Sequence, residues 1–239
     1  NTEYSRWQGV LSNRNGASAA KLDLASTNRI HLVSESVLSF TKEFGNHEFF
    51  AILGTGAESW NTNYSASFGA GYSSDVLQTI SAADPLTVTA ASEAYENRLL
   101  SFFTRVNYAY NDTYLASVSV RRDGASVFGA NNKFGNFPAV SVGWNVHNEE
   151  FLQESEVLTN LKFRVSYGIT GNPGIDTGNN QIDNYPYLSL IGTTNAVFEG
   201  NSTAIGFNPL NIANPDLKWE RSIEINPGID FGLFNNVIS

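Results

Sequence analysis

The chain is dominated by segments in which apolar and polar residues alternate strictly over lengths that suffice to cross a lipid bilayer. The clearest segment covers residues 138–147. Its apolar parity consists of Pro138, Val140, Val142, Trp144 and Val146, and its polar parity of Ala139, Ser141, Gly143, Asn145 and His147. A two-residue period places unlike side chains on the two faces of a β-strand. A tilted transmembrane strand needs about 9 to 11 residues, so this segment predicts a strand with one face toward lipid.

The same alternation recurs along the chain and predicts about seven antiparallel strands. The other patterns, strong in the first four and weaker in the last two, cover 100–110, 114–121, 161–170, 222–233, 30–43 and 48–58. Phe103 alone breaks the first of these, because it has the polar parity. The polar parities carry Ser, Gly and Asn with charges such as Arg105 and Arg164, as expected of a wet or plugged barrel interior.

The predicted connections alternate between short and long. Short links cover 44–47 and 111–113, a moderate one covers 148–160, and the long ones cover 60–97, 123–136 and 171–216. Outer-membrane barrels have short periplasmic turns and long outer loops, whereas a structureless loop of that length argues against a compact soluble domain. The sequence therefore predicts an all-β fold: a segment of an antiparallel transmembrane β-barrel.

Three tyrosines flank the short link at 111–113 on the apolar parity, namely Tyr108, Tyr110 and Tyr114. Aromatic rings at this place are typical of the lipid headgroup level. An aromatic cluster across the strands of a soluble hairpin would have the same pattern, and the tyrosines alone do not separate the two interpretations.

Composition excludes several classes of function. The formal net charge is -9 and the 14 Lys and Arg residues form no basic stripe, so nucleic-acid binding is not expected. Charged residues make up only 15% of the chain, against about 25% in ordinary soluble domains. There is no Cys, which excludes thiolate metal sites.

Catalytic and cofactor motifs are not apparent in the sequence. His31, His47 and His147 lack metal-ligand spacing. The glycines at Gly54 and Gly56 form no complete dinucleotide fingerprint and indicate flexibility at a strand end. The acidic residues of the 148–160 link fit a solvated connecting helix better than a catalytic pair; they are Glu149, Glu150, Glu154 and Glu156. We therefore expect no catalytic residue, no metal, no cofactor and no enzyme activity.

The longest loop carries the only candidates for substrate binding. They are Asp176, Asp183, Tyr185, Tyr187 and Phe198. Carboxylate acceptors and flat rings bind sugars or peptides, but aromatic residues in a polar loop also pack the loop into a lid or against a partner. Asp176, Asp183 and neighbouring carbonyl oxygens could also hold a calcium ion, although they lack the regular spacing of a known calcium loop.

Three stretches resemble the C-terminal part of the barrel in the SusC/RagA family of TonB-dependent receptors. They cover 99–151, which includes RDGASVFG and FPAVSVGW, then 161–175, and then 214–220, which reads NPDLKWE. Residues 1–98 resemble the preceding strands of that barrel more loosely. The three stretches occur in the order and with the spacing that the family has.

The resemblance implies the fold and the role of a longer protein. It implies a barrel of about 22 strands, of which residues 1–239 would be a part, with the signal peptide and the N-terminal plug domain outside this chain. It also implies TonB-driven import of a large nutrient, either an oligosaccharide or a peptide, through the outer membrane, with contacts to membrane lipid, to the TonB complex and to a SusD-like surface lipoprotein. The alternatives are a soluble, secreted β-sandwich that binds polysaccharide and a passive porin.

Overall fold

The alternating segments form long antiparallel strands in a computed structural model, which describes residues 1–9, 20–152, 157–174, 183–198 and 202–234. The strands are β1 (Thr2–Gln8), β2 (Ala20–Phe44), β3 (His47–Tyr72), β4 (Thr89–Tyr110), β5 (Tyr114–Ala125), β6 (Phe134–Asn145), β7 (Leu158–Asn172), β8 (Ile191–Phe198), β9 (Ser202–Pro209) and β10 (Glu220–Leu233). Short 3-10 turns lie at Ile80–Ala82, Pro85–Thr87 and Val146–Asn148. In the described part of the chain no helix has the length and apolar character needed to cross a membrane.

Eight strands form one sheet in the order β1-β2-β3-β4-β5-β6-β7-β10, and β8 pairs with β9 in a separate hairpin. Cross-strand pairs such as Val118 with Val106 and with Val140 keep like faces together. This register agrees with the alternation in the sequence, because a slip by one residue would reverse every side chain. The all-β antiparallel fold is confirmed.

The short link between β4 and β5 is a tight connection of three residues, 111–113, between the paired residues Tyr110 and Tyr114. Asn111 and Asp112 have φ angles of 49° and 52°, and the Thr113 amide donates to the Tyr110 carbonyl over 2.9 Å. Positive φ at both central residues defines a type I′ turn, which matches the twist of the flanking strands and favours Asn and Asp. The predicted short link is confirmed.

Several strands are longer than the alternation predicted. Residues 60–72 and 89–97, interpreted as loop, belong to β3 and β4. The four aromatic residues Trp60, Tyr64, Phe68 and Tyr72 share one parity in the extension of β3. Because small and polar residues lie between them, the alternation of apolar and polar residues is weak in this part of the sequence. Gly54 and Gly56 therefore lie inside β3 and are not at its end, and β1, β8 and β9 were not predicted.

The chain divides into two compact units, one formed by Asn1–Leu32 with Ser59–Asn97 and the other by Val33–Glu58 with Arg98–Ser239. In the first unit the connection after β3 folds against the strand ends. Leu22 and Ala83 are buried there beside Tyr72. The rings of Tyr72 and Trp7 form a T-shaped pair with 4.8 Å between their centroids. The Asp84 amide donates to the Ala70 carbonyl over 2.9 Å.

The second unit has a buried cluster where the β5–β6 connection meets the segment before β10. Phe128 and Phe137 lie 5.1 and 5.2 Å from Trp219, measured between ring centroids. The indole Nε1 of Trp219 donates to the Lys133 carbonyl over 3.3 Å, and Asn132 Nδ2 donates to the Asp216 carbonyl over 3.0 Å. The segment 214–220 is thus fixed on the β5–β6 connection.

Candidate functional site

The polar parities of β4 to β7 and β10 form one hydrophilic face. It includes a concavity of about 500 Å³, whose lining includes Asn107, Ser117, Ser141, Lys162, Ser166 and Asn226. Ser117 Oγ donates to Asn107 Oδ1 over 2.7 Å, and Arg164 pairs with Asp230 at 3.0 Å. This face has the hydrogen-bonding groups of a surface in contact with water or with polar solutes.

A charged network lies on the same face near the C-terminal end of β5 and the middle of β4. Arg121 Nε donates to both carboxylate oxygens of Asp123, at 2.8 and 2.7 Å, and Arg121 also donates to Ser101 Oγ over 2.9 Å. The Arg121 guanidinium lies 5.7 Å from the ring centroid of Phe103. The Phe103 ring, which broke the alternation, therefore takes part in packing on the polar face.

The opposite face is apolar and uncovered. Val118, Val142 and Ile225 are 53%, 51% and 67% exposed. In a soluble protein a continuous apolar face of this kind would be buried, since exposed patches larger than a few hundred Å² mark contact with a partner or a membrane. The exposure fits a face that contacts lipid.

Rings at the short-turn end of the strands form a band, which we call the aromatic belt: Phe44, His47, Phe49, Tyr108, Tyr110, Tyr114, Trp144 and Phe163. Neighbouring centroids are 4.8 to 6.5 Å apart from β2 to β7. His47 Nδ1 lies 2.9 Å from the Tyr108 hydroxyl. The three predicted tyrosines belong to this band, whose extent agrees with the headgroup-level interpretation.

The candidates in the long loop are only partly described. Tyr185 and Tyr187 lie in a turn in which the Leu188 amide donates to the Tyr185 carbonyl over 3.0 Å, and Asp183 is a helical residue just before this turn. Phe198 ends β8, where its backbone pairs with Ser202, and Asp176 lies outside the described residues. Their part in substrate binding stays a prediction.

Asn211 joins this turn to the β8–β9 hairpin. Its Oδ1 accepts from the Leu190 amide at 2.8 Å and its Nδ2 donates to the Leu188 carbonyl over 2.7 Å. The hairpin was not predicted from the sequence, nor were the apolar residues that the hairpin and the next segment expose. These are Ile191, Phe207 and Ile212, which are 71%, 74% and 93% exposed. The missed signal was two eight-residue strands, each too short for a membrane-crossing pattern.

The three histidines lie in different surroundings. His31 stacks on Trp60 with 4.7 Å between centroids, His47 belongs to the aromatic belt, and His147 Nδ1 lies 3.4 Å from the Leu161 carbonyl oxygen. Among the described residues no group of three or more His, Cys, Asp or Glu is arranged to hold a metal ion.

Comparison with known proteins agrees with this architecture. Residues 1–238 match the family described as TonB dependent receptor-like, beta-barrel. The chain is 34% identical over 213 residues to TonB-dependent receptor P3 of Formosa agariphila, covering 87% of this chain and 20% of that receptor. It is 36% identical over 148 residues to the TonB-dependent receptor SusC of Bacteroides thetaiotaomicron, covering 61% of this chain and 14% of SusC.

The fold is also similar to a solved structure of the RagAB peptide transporter, with a TM-score of 0.85 and 25% identity over 98% of this chain and 25% of that chain. The chain spans about a fifth of the length of curated relatives such as TonB-dependent receptor P3. The soluble β-sandwich is excluded by this membership. The chain belongs to the TonB-dependent receptor β-barrel family, together with SusC- and RagA-type proteins, and is part of a protein of the cell outer membrane.

Proposed function

We propose that this chain forms part of the barrel wall and outer loops of a receptor that actively imports a large nutrient, driven by TonB. The observation that carries the proposal is the division of one set of strands into a lipid-type face, with Val142 at 51% exposure, and a hydrophilic face with Lys162 and Ser141. Family membership favours this role over a passive porin. The role is transport, and we propose no catalytic activity for the chain.

The cargo class that we propose is an oligosaccharide or a peptide. Tyr185 and Tyr187 supply flat rings and Asp183 a carboxylate in the segment that precedes the β8–β9 hairpin, while Phe198 and Asp176 belong to the same loop of the sequence. Rings stack on sugar faces or on peptide side chains, and carboxylates accept their hydroxyl and amide hydrogens. Similarity to a protein described as a peptide transporter supports the peptide, whereas similarity to SusC leaves the oligosaccharide equally open.

Further parts of the proposal concern the full receptor. We propose that residues 1–239 are one part of its barrel domain, that a signal peptide and a plug domain lie elsewhere in it, and that the plug-bearing part contacts the TonB complex. A SusD-like surface lipoprotein would cover the outer loops. The similarity to TonB-dependent receptors several times longer than this chain supports these points.

The experiment is a binding and growth test of the full receptor. Deletion of its gene should abolish growth on one class of polymer-derived oligomers or peptides, and the purified receptor should bind that class by calorimetry. Tyr187→Ala should weaken binding by about 1 to 3 kcal/mol, whereas Leu86→Ala, at an exposed position of the β3–β4 connection, should leave it unchanged. Unimpaired growth of the deletion strain on every oligomer and peptide tried would contradict the import proposal.

A further inference from the structure

A carboxylate lies among the rings of the aromatic belt. The Tyr114 hydroxyl donates to Glu149 Oε1 over 2.7 Å, and the indole Nε1 of Trp144 donates to the same oxygen over 2.9 Å. The two rings are 6.5 Å apart and nearly parallel, with 8° between their planes. Glu149 follows the 3-10 turn after β6. Its carboxylate is therefore held by one residue of β5 and one of β6, and its backbone by the turn.

The surroundings of Glu149 differ from those of the solvated acidic residue that the sequence pattern predicts. Oε1 is used by the two aromatic donors, and no hydrogen bond from the described residues reaches Oε2. In the described part of the chain, no Lys, Arg or His forms an ion pair with Glu149. Asp112, near this turn, accepts amide hydrogens from Asn145 and Asn148 through its carbonyl oxygen, and adds no cation.

The position of this group is fixed by the belt. Tyr110, Tyr114 and Trp144 are 38%, 48% and 39% exposed, on the face that contacts lipid, at the end of the strands where the turns are short. Short turns of outer-membrane barrels lie on the periplasmic side, and the aromatic residues there lie at the headgroup level. A group that is exposed at this level faces the phospholipid headgroups.

We propose that Glu149, Tyr114 and Trp144 form a binding site for the primary ammonium of an ethanolamine phospholipid. An anionic carboxylate without an internal cation attracts an ammonium group, and at an interface this attraction is screened less than in water. The hydroxyl of Tyr114 and the indole N–H of Trp144 fix the orientation of the carboxylate and leave Oε2 open to the ammonium. A primary ammonium has N–H hydrogens that can be donated to the unused Oε2. A quaternary ammonium has no such hydrogens. This site does not depend on the cargo of the receptor.

The experiment measures lipid preference of the full receptor by native mass spectrometry in detergent with added lipid. Phosphatidylethanolamine should be retained over phosphatidylglycerol, which lacks the ammonium, and over phosphatidylcholine, which lacks its N–H donors. The expected preference is about two- to fivefold, as for one exposed ion pair. Glu149→Gln keeps an oxygen that accepts from Tyr114 and Trp144 but removes the charge, and it should abolish the preference. Glu150→Gln, at the exposed neighbouring position, should keep it.

Two results would overturn the proposal. One is a wild-type receptor that retains the three lipids equally, a comparison that requires no variant. The other is a folded Glu149→Gln receptor, identified by its heat-modifiable migration on gels, that retains the wild-type preference. If Glu149→Gln does not assemble, the wild-type comparison of ethanolamine with choline lipid decides the question.

Discussion

Gly54 on β3 lies under the ring of Phe103 on β4. A Cβ built on Gly54 would lie 2.2 Å from Cζ of that ring, far inside the contact distance of two carbon atoms. The missing side chain at position 54 therefore allows an aromatic residue on the polar face, where Arg121 lies 5.7 Å from its centroid. One glycine therefore explains how an aromatic residue that breaks the alternation fits on the polar face.

We expect Gly54→Ala to destabilise the barrel, because the new methyl group displaces the Phe103 ring. Overpacking of this kind costs about 1 to 3 kcal/mol. Gly56→Ala is the matched control, since a Cβ there would meet only Ser101 Cβ at 3.8 Å, an ordinary contact. Thermal unfolding of the full receptor, followed on heat-modifiable gels, should show a lower midpoint for Gly54→Ala alone. Equal midpoints for the two variants would contradict the packing argument.

The two faces of β6 should tolerate charge very differently. Val140 lies on the apolar face, 44% exposed, between Val118 and Tyr167, and Val140→Arg should place a charge in hydrocarbon at a cost of about 2 to 4 kcal/mol. Ser141 is next to it in sequence but lies on the hydrophilic face, where an Arg remains solvated. Outer-membrane yield should fall for Val140→Arg and remain near wild type for Ser141→Arg.

Much of the sheet was predictable, because alternation and turn chemistry are local. The faces of Val140 and Ser141 and the turn at Asn111 and Asp112 follow from neighbours in sequence. The packing of Trp219 on Phe128 does not follow from neighbours in sequence, because it joins segments that are distant in the chain. The Glu149 contacts were missed for the same reason: Tyr114 lies on another strand, and the acidic run alone indicated only a solvated link.

Trp219 should hold the end of the long loop in place. It is 7% exposed and packs against Phe128 and Phe137, and truncation of a buried Trp typically costs about 3 to 5 kcal/mol. We expect Trp219→Ala to release segment 214–220 from the β5–β6 connection while the strands stay paired. Limited proteolysis of intact cells should then cleave this loop faster. Phe207→Ala, at an exposed position of β9, should leave the cleavage rate unchanged.

Asn211 should determine the local stability of the β8–β9 hairpin. Its Oδ1 is the acceptor for the Leu190 amide at 2.8 Å, and its Nδ2 donates to the Leu188 carbonyl. Asn211→Ala removes both bonds, each worth about 0.5 to 1.5 kcal/mol, and leaves the Leu190 amide without its acceptor. Amide hydrogen exchange should therefore accelerate at Leu190 by about tenfold or more.

The matched control is Asn208→Ala, which alters an exposed amide side chain of the same hairpin for which the described residues provide no side-chain hydrogen bond. Exchange at Leu190 should stay at the wild-type rate in this variant. If Asn211→Ala also leaves the rate unchanged, the hairpin is held by its strand pairing alone. If the rate rises for Asn211→Ala only, the Asn211 side chain helps to hold the turn that contains Tyr185 and Tyr187 against the hairpin. A cargo that contacts those tyrosines should then bind more weakly to that variant.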